Sequence, residues 1–168
     1  PPPPHHRLTL ARRYHELFAT AGDDGKVLVW DSRTREQGGG AVASMTVSER
    51  KPVSGVKFEP VGVSGGGNWV ITSDETGRIC VWDIRKWELS RVVFDSAKNN
   101  SVKNPSNNWE GSGKADIFKD VCISTEGWVC AVTEPGFLYT WDPRDNWNMT
   151  KQPTQVKATS LTVSRVSR

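Results

Sequence analysis

Residues 72–85 read TSDETGRICVWDIR: the end of a strand, a tight turn at Asp74–Gly77, a second strand, then Trp82-Asp83. The same pattern stands earlier as TAGDDGKVLVWDSR at Thr20–Arg33 and later as AVTEPGFLYTWDPR at Ala131–Arg144. Aligned on Trp30, Trp82 and Trp141, the three copies agree at five offsets. Gly25, Gly77 and Gly136 lie five residues before the Trp, and the acidic residues Asp23, Glu75 and Glu134 lie seven before it. Val27, Ile79 and Leu138 lie three before it. Asp31, Asp83 and Asp142 follow it directly, and Arg33, Arg85 and Arg144 come two residues after those. Chance does not repeat five offsets three times, so the chain carries an internal repeat.

Working outward, short strands alternate with turn-forming clusters. Glu16–Ala21 and Lys26–Asp31 flank the turn at Asp23-Asp24-Gly25, where Gly is free to take a positive φ. Within Lys26–Asp31, Leu28 and Trp30 share one face and Val27 and Val29 the other. Ser32–Gly40 reads as a polar loop, and Ala41–Val47 and Val53–Phe58 as strands. Trp69–Ser73 and Arg78–Ile84 form the next hairpin, followed by a strand at Leu89–Asp95. Ser96–Asp116, rich in Asn, Ser, Gly and Lys, reads as a long exposed insertion. Phe118–Ser124, Trp128–Thr133 and Leu138–Trp141 resume the rhythm, and beyond Pro143 the strand character lies at Val156–Val163. At the start, Leu8–Ala11 reads as the remains of a strand and Pro1–Pro4 as polyproline-like. No stretch shows the 3.6-residue apolar period of a helix, so the class is an all-β array.

The 168 residues, 36% hydrophobic, suffice for a core, and eight Trp is high for this length. No apolar run approaches 18 residues, so membrane insertion is not expected. A net charge of +3 without a long basic run does not imply nucleic acid. Cys80, Cys122 and Cys130 have no metal-ligand spacing and read as reduced, structural thiols of an intracellular, most simply cytoplasmic, protein, with a nuclear location open. Cys80 shares the face of Trp82, and Cys122 and Cys130 are expected on neighbouring strands. PPPPHHRLTL is neither a signal peptide nor led by Met, and reads as the cut end of a longer chain.

LFATAGDDGKVLVWD (Leu17–Asp31) and WVITSDETGRICVWD (Trp69–Asp83) resemble the WD-repeat family, and WVCAVTEPGFLYTWD (Trp128–Asp142) is a divergent copy in register. The resemblance covers residues 15–145 and implies a β-propeller of four-stranded antiparallel blades. The expected organisation is a ragged start at 1–14, a partial blade at 15–47, a blade at 48–95, an insertion at 96–117, a divergent blade at 118–163 and a tail at 164–168. Three blades do not close a propeller of roughly four to eight. The chain is therefore expected to be a piece of a larger propeller, with an apolar face at each end. The Trp-to-Trp spacings of 52 and 59 exceed the roughly 40–45 residues of the repeat, and the loop at Glu59–Asn68 and the insertion absorb the excess.

The family also implies a structural tetrad of turn Asp, strand Ser or Thr, Trp and a His. The matching positions are Asp23, Thr20 and Trp30, then Glu75, Thr72 and Trp82, then Glu134 and Trp141, where Ala131 replaces the hydroxyl. The family's Gly-His dipeptide is absent. Physics alone accounts for the Trp: burying about 150–250 Å² of indole is worth at most about 4–6 kcal/mol.

The chemistry-bearing candidates are few. GSGK at Gly111–Lys114 lacks the rest of a phosphate loop, since Asn108 and Ala115 stand where Gly and Ser or Thr belong. His5, His6 and His15 have no Cys partner nearby, and no Ser has a nucleophile-elbow context. Asn99-Asn100-Ser101 and Asn148-Met149-Thr150 are glycosylation sequons that matter only in a secreted protein. No catalytic residue, cofactor, metal or small-molecule substrate is expected.

The sharpest partner-binding candidates are Arg33, Arg85 and Arg144 of the Trp-Asp-x-Arg corners, and Trp109 in the insertion. In WD-repeat substrate receptors of cullin-based ubiquitin ligases, a similar box docks an Arg on the ligase's adaptor. The architectural alternative is that each Arg neutralises its own blade's Asp. Trp87 and Trp147 are expected to cover outer strands. By family analogy one face of the propeller carries Asp23–Gly25, Asp74–Gly77, Glu134–Gly136, Ser48–Pro52 and Ser96–Asp116. The other carries the Trp-Asp-x-Arg corners and Glu59–Asn68. The expected function is a non-catalytic protein–protein interaction scaffold for a cytoskeletal, trafficking or ribonucleoprotein complex. A ubiquitin-ligase substrate receptor is the alternative, and a nucleic-acid-contacting propeller the third.

Overall fold

The computed structural model describes residues 7–10, 16–37, 40–49, 51–60, 67–99, 116–154 and 160–162. Among the described residues, twelve strands form three separate four-stranded antiparallel sheets, each built from consecutive strands. The first sheet is β1 (Arg7–Leu10), β2 (Leu17–Ala21), β3 (Lys26–Asp31) and β4 (Ala43–Thr46). The second is β5 (Val53–Phe58), β6 (Trp69–Asp74), β7 (Arg78–Asp83) and β8 (Glu88–Asp95). The third is β9 (Phe118–Ile123), β10 (Val129–Thr133), β11 (Phe137–Asp142) and β12 (Asn148–Pro153).

The hairpins stand in the expected register. Phe18 pairs with Trp30, Val70 with Trp82 and Val129 with Trp141. The strand remnant at the start pairs along β2, so the first sheet has a complete set of four strands.

The end of the third sheet corrects the sequence reading. Its last strand is Asn148–Pro153, where the sequence shows no strand character; of Val156–Val163 only 160–162 lie within the described residues, and these are not in a strand. Every residue of β12 is exposed. This outer edge strand holds by its backbone ladder to β11 and by polar side-chain contacts, Thr150 with Thr140 and Lys151 with Asp116, so apolar alternation is not demanded of it. Two smaller differences concern loops. Ser32–Gln37 is a 3-10 turn, and Ser96–Asn99 forms one short helical turn at the start of the insertion. Pro1–Pro4, His5, His6, His15, the GSGK stretch, Trp109 and the tail at 164–168 lie outside the described residues.

Sheet-on-sheet packing builds two cores. Val27, Val29, Ala19 and Met45 of the first sheet pack with Val70, Cys80 and Trp82 of the second. The opposite face of the second sheet, with Ile71, Ile79, Val81 and Phe94, packs with Val121, Val129, Ala131, Tyr139 and Trp141 of the third. Each sheet after the first thus lays its Trp-bearing face on the back of the sheet before it. The first strands run side by side, β1 next to β5 and β5 next to β9. The second core is aromatic: the Phe94 ring lies 5.5 Å from Phe118, 5.1 Å from Tyr139 and 6.0 Å from Trp141.

The repeated glycine closes each hairpin. Gly25, Gly77 and Gly136 have φ of 81°, 83° and 91°. A Cβ on Gly77 would stand 2.5 Å from the Asp116 carbonyl oxygen and 2.6 Å from Ser96 Cβ. The left-handed conformation alone costs a non-glycine residue about 1–2 kcal/mol. Gly77→Ala is therefore expected to lower unfolding free energy by at least that much in urea titration. Gly40→Ala, whose Cβ meets nothing within 4 Å, leaves it unchanged.

Candidate functional site: the Trp-Asp-x-Arg corners and the uncovered Trp30 face

At the end of the third strand of each sheet the chain turns a corner with the same polar wiring. The Arg33 backbone N–H donates to Asp31 Oδ1 at 2.9 Å, and its guanidinium donates from Nε at 3.0 Å and from Nη2 at 2.6 Å. Arg85 repeats this on Asp83, with its backbone N–H and Nε each at 2.9 Å from Oδ1. Arg144 repeats it on Asp142, at 2.9 Å and 3.1 Å. One carboxylate therefore caps the turn and holds the guanidinium. The arginines are nonetheless 66%, 68% and 59% exposed at the side chain, so the pairs face solvent. Three identical corners in three sheets fit the architectural reading of these arginines.

The charge pairing shows in the acidities. The hydrogen bonds from the Arg85 side chain, then from its backbone N–H, pull the Asp83 carboxyl down to about 2. Asp31 and Asp142 are lowered in the same way by Arg33 and Arg144.

The corners of the second and third sheets end in a Trp in the left-handed region. Trp87 has φ 57° and Trp147 has φ 61°, an uncommon conformation for a bulky side chain. Their N–H groups donate to the carbonyls of Asp83 at 2.7 Å and Asp142 at 2.9 Å. Packing offsets the strain: Trp87 lies against the first core and Trp147 against the second, edge-on to Trp69 at 6.1 Å.

The predicted Thr–Trp pairs form. Trp30 Nε1 donates to Thr20 Oγ1 and Trp82 Nε1 to Thr72 Oγ1, each at 3.0 Å. The acidic turn positions are placed differently from the implied tetrad. Turn capping falls one residue earlier, where Asp74 accepts from the backbone N–H groups of Thr76 and Arg78 at 2.9 and 3.1 Å. Thr133 does the same for Phe137 at 3.1 Å. Glu75 and Glu134 instead share Lys119, at 3.6 and 3.3 Å, which ties the second sheet's turn to the third's. Asp23 is exposed on its turn.

Sequence reasoning missed several groups. Lys119, Phe94 and Tyr139 belong to no repeated offset. The Tyr139 hydroxyl donates to Asp116, and burial followed by that contact pushes its acidity well down. Asp120, 3% exposed, accepts from Ser160 Oγ at 3.2 Å and the Leu161 N–H at 3.1 Å, clasping the 160–162 segment to the third sheet. No sequence signal announces that contact, which spans about forty residues.

The exposure of the three repeated Trp residues is unequal. Trp82 and Trp141 are 6% and 1% exposed, because each lies on the preceding sheet. Among the described residues, Trp30 has no preceding sheet to lie on. It is half-buried, stacked on Phe18 at 6.3 Å, with Thr20 and Leu28 half-buried on the same face. The first sheet thus presents outward the surface that the other two bury.

Among the described residues, no three His, Cys, Asp or Glu side chains gather in a way that would hold a metal ion, and no helix is long and apolar enough to cross a membrane. No family model matches the chain, and no curated protein matches it.

The corner geometry makes a pH prediction. A carboxyl whose folded pKa is depressed adds stability above its unfolded value of about 3.9, and that stability is lost as pH falls through the folded value. Carboxyl carbon NMR is expected to show Asp83 titrating at about 2, moving up toward the ordinary Asp value in Arg85→Ala. Titration of Asp83 at the ordinary value in the unsubstituted chain would show that the corner is not paired in solution.

Proposed function

We propose that the chain is part of a WD-repeat β-propeller and serves inside the cell as a non-catalytic scaffold that binds other proteins. Two features support the propeller: three consecutive four-stranded sheets stacked Trp face on back, and first strands brought side by side. The observation that carries the binding function is the half-buried face of Phe18, Thr20, Leu28 and Trp30. Its equivalents around Trp82 and Trp141 each cover an apolar sheet back. The occupant that fits is a protein surface of the same kind, a sheet face rich in β-branched residues like Val27 and Val29 or Ile71 and Ile79.

On this reading Arg33, Arg85 and Arg144 brace their own corners. The ubiquitin-ligase reading rests on the solvent exposure of Arg33 and Arg85. It requires an adaptor to break each Asp pair or to use the guanidinium edge the Asp leaves open.

Light scattering over a range of concentrations tests the proposal. The chain is expected to self-associate, or to be captured by proteins offering such a face, and Trp30→Lys is expected to suppress both. A stable, cooperatively folding monomer at every concentration would overturn it.

A further inference from the structure

Two of the three cysteines are placed directly opposite one another on adjacent strands. Cys122 of β9 pairs in register with Cys130 of β10. The Ser124 N–H donates to the Trp128 carbonyl at 2.8 Å. Two residues further along both strands comes the next hydrogen-bonded pair, which is Cys122 and Cys130. Opposed residues at such a site have Cα atoms about 5.5 Å apart. A disulfide needs Cα atoms about 4.4–6.8 Å apart, which such a pair meets, and Cβ atoms about 3.5–4.5 Å apart, so the two strands must draw slightly together at this pair for the bond to close.

The two side chains project from the face of the third sheet opposite to Val121, Ala131 and Trp141, hence away from the aromatic core. Cys130 is half-buried, not sealed. Cys122 lines a cleft of about 210 Å³ together with Lys57, Phe58, Ile123, Leu161 and Thr162. The charged groups near the pair are Lys57 across the cleft and Asp120, two residues before Cys122 on the same strand face.

We propose that Cys122 and Cys130 are an oxidisable dithiol, which a peroxide converts to a cross-strand disulfide and a small-molecule thiol reductant restores. The proposal does not rest on the propeller reading. The two sulfurs have unlike roles. Contact with the Cys122 thiol lowers the Cys130 pKa, and Cys130 is the more exposed of the two, so Cys130 is the sulfur that meets peroxide as the thiolate. The same contact, followed by burial, holds Cys122 protonated.

In the first step the Cys130 thiolate attacks a peroxide oxygen. An S–O bond forms, the O–O bond breaks, and the leaving hydroxide or alkoxide takes the proton that Cys130 released. In the second step the Cys122 sulfur displaces water from the Cys130 sulfenic acid: the S–S bond forms, the S–O bond breaks and the Cys122 proton leaves with the water. In total the thiols lose two electrons and two protons, and the peroxide is reduced. Cys80 supplies an internal control, being 1% exposed, without a facing thiol, and pushed by burial up to about 11.

The test treats the chain with hydrogen peroxide, alkylates remaining thiols with N-ethylmaleimide under native conditions, then digests it for mass spectrometry. The expected result is a linked pair of peptides carrying Cys122 and Cys130, lighter by two hydrogens and separated by dithiothreitol, with Cys80 unlinked. In Cys122→Ser, Cys130 is expected to stop at the sulfenic acid and be trapped by dimedone. Recovery of both residues as alkylated thiols, or of Cys130 as sulfinic acid with Cys122 unlinked in the unsubstituted chain, would overturn the proposal.

Discussion

The structure depends on one packing relation used twice: an indole on the third strand of a sheet, pressed against the branched aliphatic back of the sheet before it. Four short antiparallel strands bury little on their own, and an isolated sheet leaves both faces in water. Trp82 against Val27 and Val29, and Trp141 against Ile71, Ile79 and Phe94, turn three such sheets into one stack with two continuous cores. The rest of the repeat serves this contact. The glycine lets the hairpin reverse in few residues, the Thr hydroxyl gives the indole N–H an acceptor, and the Asp-x-Arg corner fixes where the third strand stops.

The same relation sets the two ends of the stack apart from its middle. A stack in which every sheet covers its predecessor always leaves one Trp face over, here the half-buried face of Trp30. It also leaves the back face of the third sheet, with Cys130 and Leu138 half-buried, which the 160–162 segment covers in part through Asp120. On the propeller reading these surfaces are where another protein surface belongs, and the loops are secondary.

Much of this was legible in the sequence because it rests on local chemistry. The three hairpins follow from period-2 alternation around a Gly-containing turn, and the Thr–Trp pairs follow from strand register. The placing of Cys122 and Cys130 on neighbouring strands was visible for the same reason, whereas their direct facing is a matter of register that the structure supplies. What stayed illegible was set by distant contacts or by their absence. β12 carries no apolar alternation, because an exposed edge strand is held by its backbone ladder and by polar side chains such as Thr150 and Lys151, and a strand without alternation gives the sequence no signal. Lys119 between Glu75 and Glu134, and Asp120 under Ser160 and Leu161, join parts of the chain whose separation no pattern encodes. For the corner arginines the sequence leaves bracing and docking side by side; the structure adds that the Asp two residues before each holds its backbone N–H as well as its guanidinium.

The most direct measurement is equilibrium unfolding of three equivalent substitutions, Trp30→Ala, Trp82→Ala and Trp141→Ala, in urea. If sheet-on-sheet burial of the indole holds the stack together, Trp82→Ala and Trp141→Ala each lose about 3–5 kcal/mol. Trp30→Ala, on the uncovered face, then loses well under half as much. Equal losses at all three positions would contradict the account, because they would place the value of the Trp within its own sheet and not in the sheet it covers.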